Sequence, residues 1–427
     1  MRSLAQWLEY LEQLHPSAID MGLERVATVR DRLGIQLGMP VISVGGTNGK
    51  GSVCAYLDAI LRQAGYRTGL YTSPHLVRYN ERVRIDGAEA SDAALIDAFE
   101  RIERARGTIS LTYFEFGTLA AALVFGAAHV EVAVLELGLG GRLDAVNIFD
   151  ADCAVIVSVD LDHMNYLGNT RESIGYEKAR IFRPGRPGVC ADPDPPATVT
   201  EYAREIGAQL LLIGRDFGFS PGPTQWRYWG PAANRGALPH PALRGWHQLA
   251  NAAAALAALG TLKLRLPVSM QAIRMGLATA TLPGRFQVLP GRPAVVLDVA
   301  HNPQAARALA QCLAEHKGFR RTLGVFAMLS DKDIGTVVDV LKDRINAWYV
   351  ASLPGARGSS SGMLAALIAS HDVGKPVHQF ASVVQAYRFA HELAAEDDRI
   401  LVFGSFYTVS EVMLLRAREL GAGHRSA

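Results

Sequence analysis

The stretch Val41–Tyr56, VISVGGTNGKGSVCAY, constrains this chain more than any other. An apolar run (Val41, Ile42, Val44) meets a glycine-rich turn, Gly45-Gly46-Thr47-Asn48-Gly49-Lys50-Gly51-Ser52. A helical pattern follows in Val53, Tyr56, Leu57, Ile60 and Leu61. Strand, glycine loop and helix in that order make a phosphate cradle. Glycines let backbone N–H groups converge on oxygens with no Cβ in the way, and the helix N-terminus adds partial positive charge. Lys50 supplies a full charge, and Ser52 is a candidate hydroxyl ligand for Mg2+. The usual loop places Ser or Thr directly after the lysine, whereas Gly51 intervenes here. The stretch is therefore a variant P-loop.

A chain of 427 residues exceeds what one core usually supports, so two or three domains are expected. Hydrophobic content of 49% with 20% charged residues is globular. A net charge of +2 gives no whole-chain reason to expect nucleic acid. Cys54, Cys153, Cys190 and Cys312 are scattered with no CxxC pair, which argues against a disulfide framework or structural zinc and fits a reducing cytoplasm. The N-terminal MRSLAQWLEYLEQLH is amphipathic and lacks the pattern of a signal peptide. The Ala-rich run at 252–260 is too short to span a bilayer.

Periodicity places helices at 3–14 and 20–33 before the P-loop unit, then a strand at 68–71 and a polar loop through Arg82. Helices follow at 91–104 and 114–128, strands at 132–137 and 154–159, and a helix at 172–181. Residues 191–246, richer in Pro, Gly and Trp, read as short strands and loops. Helices are expected at 248–259 and 269–278. The Pro-Gly breaks between 282 and 293 mark a domain boundary. Beyond it, strands 294–299, 322–327, 347–351 and 400–403 alternate with helices 303–316, 333–344, 361–370 and 381–395, and helix 407–418 closes the chain. Both halves predict an α/β fold with mostly parallel, doubly wound sheets.

Ligands of such sheets bind outside the carboxyl ends of the strands. Ser73, Glu136 and His163 all fall at or near such ends. Glu136 stands out, because a carboxylate in an apolar strand is costly to bury without a cation or donor. Mg2+ on a nucleotide would satisfy it, and so would an ion pair with Arg142. His163 reads equally as a capping histidine. Lys178, in Glu177-Lys178-Ala179-Arg180, reads locally as a solvated helix-surface lysine. Asp298 and His301 end a strand and open onto a helix, which suits either a site or an N-cap cluster. Arg285 is a linker arginine that could reach a phosphate.

The motifs GTNGKGS (46–52), SPHL and NERVRIDG (73–87), LTYFEFGT (111–118), LELGLGGRLDAVN (135–147), DHMNYLGNTRESIGYEKARIFRPG (162–185), LPGRFQ (282–287), LDVAHNP (297–303) and FGSF (403–406) occur in order along almost the whole chain. In these the chain closely resembles the folylpolyglutamate synthase group of the Mur ligase superfamily, and within it the bifunctional bacterial branch. The resemblance implies an N-terminal P-loop ATPase domain (1–284) like the Mur ligase central domain. It also implies a smaller Rossmann-like glutamate ligase domain (285–427), with ATP at their interface. It implies ATP and Mg2+, with Thr47, Asn48, Gly49, Lys50, Gly51, Ser52, Asn251, Arg285 and Asp298 on the nucleotide. Ser73, Glu136 and His163 would attend the metal. Lys178 would be carbamylated, which reverses its local reading. Thr112, Tyr113, Phe114, Glu115, Leu143, Asp144 and Ala145 would form the pterin-acid site, with His75 and Arg82 also on substrate. His301 and Ser405 are glutamate-side residues, His301 counted with Lys50 and Lys178 as catalytic. Two positions depart from the pattern: Arg180 replaces a glycine beside Lys178, and Val146 replaces a threonine.

The implied reaction activates a carboxylate as its acyl phosphate with ATP, and the amine of L-glutamate then attacks. The implied acceptors are dihydropteroate and reduced folates, in a cytoplasmic monomer with no nucleic-acid or membrane partner. Polyglutamylation alone, a cell-wall Mur ligase and a nucleotide-gated binding module are the competing readings. The SPHL and DHMNYLG motifs argue against the cell-wall enzyme, and the filled set of metal and linker residues argues against the switch.

Overall fold

The computed structural model describes residues 2–230, 233–372 and 374–423. The chain divides into two compact units, Met1–Ala242 with Gln248–Thr281, and Leu243–His247 with Leu282–Ala427. The sequence reading put Leu243–His247 in the first domain, and the structure groups it with the second. The reason is packing: a Cβ on Gly245 would lie 2.6 Å from Cys312 Sγ, on the helix Pro303–Glu315.

The first unit is built on an eight-stranded sheet. Its strands are β1 (Val41–Gly45), β2 (Thr68–Tyr71), β3 (Val83–Ile85), β4 (Ala88–Glu89), β5 (Val132–Glu136), β6 (Cys153–Ile156), β7 (Pro187–Cys190) and β8 (Gln209–Leu212). They lie in the order β4-β3-β2-β5-β1-β6-β7-β8. The six from β2 to β8 run parallel, and β3 and β4 add an antiparallel edge. β1 is central: the chain leaves it for β2 and β5 on one side, then crosses to β6 on the other. The carboxyl end of β1 is thus where the strand order reverses, the place such sheets bind ligands. Every residue of β1 and β5 is buried, including Glu136.

A three-stranded antiparallel sheet follows, β9 (Gly218–Pro221), β10 (Gln225–Trp229) and β11 (Arg235–Pro239). The region 191–246 also holds a helix, Ala197–Glu205, absent from the sequence reading. It is short and buries only Val199 and Ala203, too few apolar positions to show a period. The pair β3–β4 falls between the polar loop expected through Arg82 and the helix expected from 91, and of its residues only Val83 is buried.

The second unit has six strands: β12 (Gln287–Leu289), β13 (Ala294–Asp298), β14 (Thr322–Phe326), β15 (Ala347–Ala351), β16 (Val377–Phe380) and β17 (Arg399–Phe403). Their order is β12-β13-β17-β14-β15-β16, parallel throughout except for β12 at one edge. Its core closes around Phe326, Trp348 and Phe403, with the two phenylalanine rings stacked at 4.8 Å. No helix among the described residues is long and apolar enough to cross a membrane.

Candidate active site

Two glycines fix the loop after β1. Gly46 has φ +144°, and a Cβ there would meet the backbone nitrogens of Ser158 and Val157 at 3.0 and 3.1 Å. Gly49 has φ +86°, and its Cβ would sit 2.7 Å from Val157 Cγ1 and 2.8 Å from Asn251 Oδ1. Both values of φ suit glycine and strain other residues. The loop is then sewn to the segment after β6. Thr47 N donates to the Ser158 carbonyl (2.8 Å), Thr47 Oγ1 to the Asp160 carbonyl (3.0 Å), and Asn48 N to Ser158 Oγ (3.0 Å). Thr47 and Asn48 therefore shape the cradle. Lys50 opens the helix Lys50–Gln63, and its ammonium lies over the loop's own carbonyls, Gly46 at 3.1 Å and Thr47 at 3.2 Å. A phosphate oxygen at that helix N-terminus competes directly for the same charge.

Below the loop runs a buried polar ladder that the sequence reading missed. Gln248 Nε2 donates to Ser52 Oγ (3.3 Å). Tyr56 OH and Asn251 Nδ2 donate to Gln248 Oε1 at 3.2 and 3.1 Å. Gln248 lies one helical turn before Asn251, and that i, i+3 spacing was the available signal. Ser52 is buried against this ladder.

Of the expected metal-side residues, the structure brings Ser73 and Glu136 together. Val44 is the register partner of Glu136, and Ser73 N donates to Glu136 Oε2 at 3.2 Å. Arg142 pairs with Glu177 at 3.0 Å, which removes it as the partner of Glu136. His163 occupies the N-cap position of a short helix, Met164–Leu167, without capping it through its side chain. Its φ is +52°, and its backbone N donates to Asp162 Oδ1 at 2.9 Å.

Lys178 is only 3% exposed, which overturns its local reading as a solvated lysine. Its helix, Arg171–Ala179, is held by the loop after β5: Arg142 N donates to the Glu177 carbonyl at 2.9 Å, and a Cβ on Gly141 would clash with that carbonyl at 2.5 Å. Burial, and then the nearby charge of Lys50, push the Lys178 amine down to about 7, against the opposing pull of Asp162 and Asp144. Arg180 does not add to this. Its guanidinium is clamped between the Tyr176 and Tyr202 rings, at 3.3 and 4.5 Å.

Of the expected pterin-site residues, Tyr113, Phe114, Arg82 and His75 gather around the Tyr71 and Tyr79 rings. Thr112 caps the helix Tyr113–Ala127 in a reciprocal box with Glu115, which also receives Arg25 at 3.2 Å. Those two side chains are spent on local structure, and Tyr113 and Phe114 present their rings. Phe114 packs on Gly138 and lies 5.9 Å from Tyr71, while Tyr113 meets Tyr79 edge-on at 5.7 Å. The Arg82 guanidinium sits over Tyr79 and Tyr113 at 5.5 and 5.3 Å, and its Nε donates to His75 Nδ1 at 2.9 Å. Burial, then Arg82, lower His75 to about 4, so it stays an acceptor. Asp144 organises the loop by accepting from Leu139 N and Val146 N at 2.8 and 2.9 Å, with Leu143 and Ala145 on either side; burial raises it to about 6. The departure at Val146 leaves this intact, since Val146 contributes its backbone.

In the second unit Asp298 accepts from Phe286 N and Ala300 N, both at 2.8 Å, and feels the charge of Arg285. The N-cap of helix Pro303–Glu315 is Asn302, so Asp298 does not cap it. His301 Nδ1 donates to the Val299 carbonyl at 2.8 Å. Arg285 and His301 both approach Phe406, at 5.4 and 6.1 Å. Ser405 is buried, bonded to Thr408.

Among the described residues no cluster of three His, Cys, Asp or Glu side chains could hold a metal by itself. Mg2+ keeps much of its water and binds through one or two protein groups plus substrate phosphates. The glycine cradle, Lys50 and buried Glu136 fit a metal–nucleotide pair.

A phosphate cradle at a strand-order reversal, followed along the chain by a second, mostly parallel α/β unit, is an arrangement that Mur-type ligases share. Residues 44–216 match the Mur ligase middle domain and residues 284–406 the Mur ligase glutamate ligase domain. A relative from Escherichia coli (strain K12), dihydrofolate synthase/folylpolyglutamate synthase, is 47% identical over 420 residues, 98% of this chain and 97% of the relative. The structure of E. coli FolC in complex with DHPP and ADP matches at 46% identity and a TM-score of 0.93, covering 98% of this chain and 99% of that one. A bifunctional folylpolyglutamate synthase/dihydrofolate synthase with Mn, AMPPNP and L-glutamate bound matches at 47% and 0.90, covering 98% of each chain. The chain belongs to the dihydrofolate synthase/folylpolyglutamate synthase family.

Proposed function

We infer that this chain is an ATP-dependent ligase that joins L-glutamate to dihydropteroate, giving dihydrofolate, and to reduced folates, giving folylpoly-γ-glutamates. The observation that carries the reading is the grouping of Lys50, Glu136 and Lys178 around the variant P-loop, with the Tyr113, Phe114 and Arg82 wall on the same unit. The E. coli relative carries both activities in its name, and solved relatives hold ADP, AMPPNP, Mn, DHPP and L-glutamate. Residues 1–284 hold ATP and the pterin acid in this reading, and 285–427 serve glutamate, in a cytoplasmic monomer.

A carboxylate is a poor electrophile, because its carbon is electron-rich and oxide is a poor leaving group. A carboxylate oxygen attacks the γ-phosphorus of ATP, ADP departs, and an acyl phosphate forms. The glutamate amine adds to the acyl carbon, the amine proton is lost, and phosphate leaves. Lys50 and the backbone N–H groups of Gly49, Gly51 and Ser52 bear the charge that builds on the transferred phosphoryl group. Mg2+, held by Ser73, Glu136 and His163, would supply further charge neutralisation there. The aromatic wall orients the pterin acid, and Arg82 offers its guanidinium to a substrate carboxylate. Asn251, Arg285 and Asp298 contact the nucleotide, and His301 and Ser405 serve glutamate.

Lys178 acts as a carbamate. The neutral amine attacks CO2, loses a proton and becomes an anion that would help hold the metal. Only the unprotonated amine is nucleophilic, and burial beside Lys50 supplies it near neutral pH.

The test is ADP release by purified protein with ATP, Mg2+ and L-glutamate, offered dihydropteroate or a reduced folate in parallel. Turnover with both acceptors, and with neither when glutamate is omitted, is expected. Turnover with only one removes the bifunctional reading, and turnover with neither removes the ligase.

A further inference from the structure

The run FGSF ends at a residue that the reaction has not yet used. The Ser405 hydroxyl is tied to the helix that follows: Oγ accepts from Thr408 N at 3.0 Å and pairs with Thr408 Oγ1 at 2.7 Å, while Thr408 Oγ1 donates to the Ala327 carbonyl at 2.7 Å. It thereby closes the first turn of the helix Phe406–Gly423. The next side chain points elsewhere. Phe406 is half-buried, and its ring centroid lies 5.4 Å from the Arg285 guanidinium carbon and 6.1 Å from the His301 ring, with planes inclined by 53°. One ring therefore meets both the linker arginine and the histidine after β13.

We propose that Phe406 is a positioning residue for ligation, an aromatic platform that fixes the Arg285 guanidinium and the His301 imidazole relative to each other. This deepens the assignment of Arg285 to the nucleotide and His301 to glutamate, and it rests on that assignment. A guanidinium is drawn to an aromatic face by the ring quadrupole, and a ring with two torsions pins it at little entropic cost. Arg285 also lies by the Asp298 carboxylate, and the ring adds a further restraint on its long side chain. His301 is anchored at Nδ1 by the Val299 carbonyl, and the Phe406 ring adds a contact on the imidazole.

The test is a set of Phe406 substitutions assayed for KM and kcat with ATP and L-glutamate. Phe406→Ala should lower kcat/KM for both by about three- to thirtyfold, the range for a partly desolvated cation–π contact, chiefly through KM. Phe406→Tyr, which keeps the ring, should stay within about twofold of the parent, and Phe406→Leu, which keeps only apolar bulk, should behave as alanine. Equal kinetics for the leucine and tyrosine variants would overturn the proposal, and that comparison holds even if the alanine variant fails to fold. Arg285→Ala and His301→Ala separate the two levels. If both keep the parent kinetics, the assignment beneath the proposal fails. If both lose activity while Phe406→Leu does not, the platform alone is wrong.

Discussion

Replacing Lys178 by methionine should abolish ligation and stabilise the fold. The amine is buried, and its pKa falls from 10.5 to about 7 in the folded chain. Below pH 7 both folded and unfolded states hold the proton, and the folded state bears the whole penalty of burying the cation. Between about 7 and 10.5 the unfolded state binds the proton and the folded state does not, so stability rises with pH across that window; above 10.5 the difference is gone. At 1.36 kcal/mol per pH unit the penalty below pH 7 is on the order of 5 kcal/mol. Methionine removes it at similar volume. Recovering even half, in a unit of this size, raises the melting temperature by about 5 °C or more. The assay is thermal unfolding at pH 6.5 and pH 9.5, in buffer depleted of CO2, nucleotide and divalent metal. The gain should be larger at pH 6.5. A methionine variant that melts lower at pH 6.5, or that still forms product, refutes the reasoning.

Lys50→Ala should leave the circular dichroism spectrum and melting temperature near the parent values and lower kcat by at least about a hundredfold, the scale of losing one preorganised charge donor. Near-normal product formation would show that the cradle lies elsewhere. Glu136→Ala should raise the Mg2+ concentration needed for half-maximal rate by about tenfold or more, as expected when a metal loses a carboxylate. An unchanged Mg2+ titration removes the metal role. Gly49→Ala must strain a left-handed backbone and push Val157 and Asn251 aside, at about 1–2 kcal/mol from the backbone alone. It should weaken ATP binding in calorimetry, and unaltered affinity would contradict the close approach.

The P-loop was legible because a glycine turn between an apolar run and a helical period has few other uses. The alternating pattern of strands and helices in both halves was legible for the same physical reason: buried parallel strands must be continuously apolar. What escaped was short or shared between distant segments. The helix Ala197–Glu205 and the pair β3–β4 bury too few side chains to impose a period. Lys178 looked solvated because sequence spacing sees only its own helix, while burial comes from the Gly138–Arg142 loop that closes over it. Gln248 and Phe406 act through partners far away in sequence, Ser52 for one and Arg285 for the other.

If a pterin carboxylate is phosphorylated before glutamate attacks, one of its oxygens must pass to the released phosphate. Dihydropteroate carrying 18O in its carboxylate is incubated with the protein, ATP, Mg2+ and L-glutamate, and the released phosphate is analysed by mass spectrometry. One 18O atom is expected in each phosphate formed with product, because the oxygen that attacked phosphorus leaves with it. Product formed together with unlabelled phosphate would contradict an acyl-phosphate route and the roles assigned to the cradle.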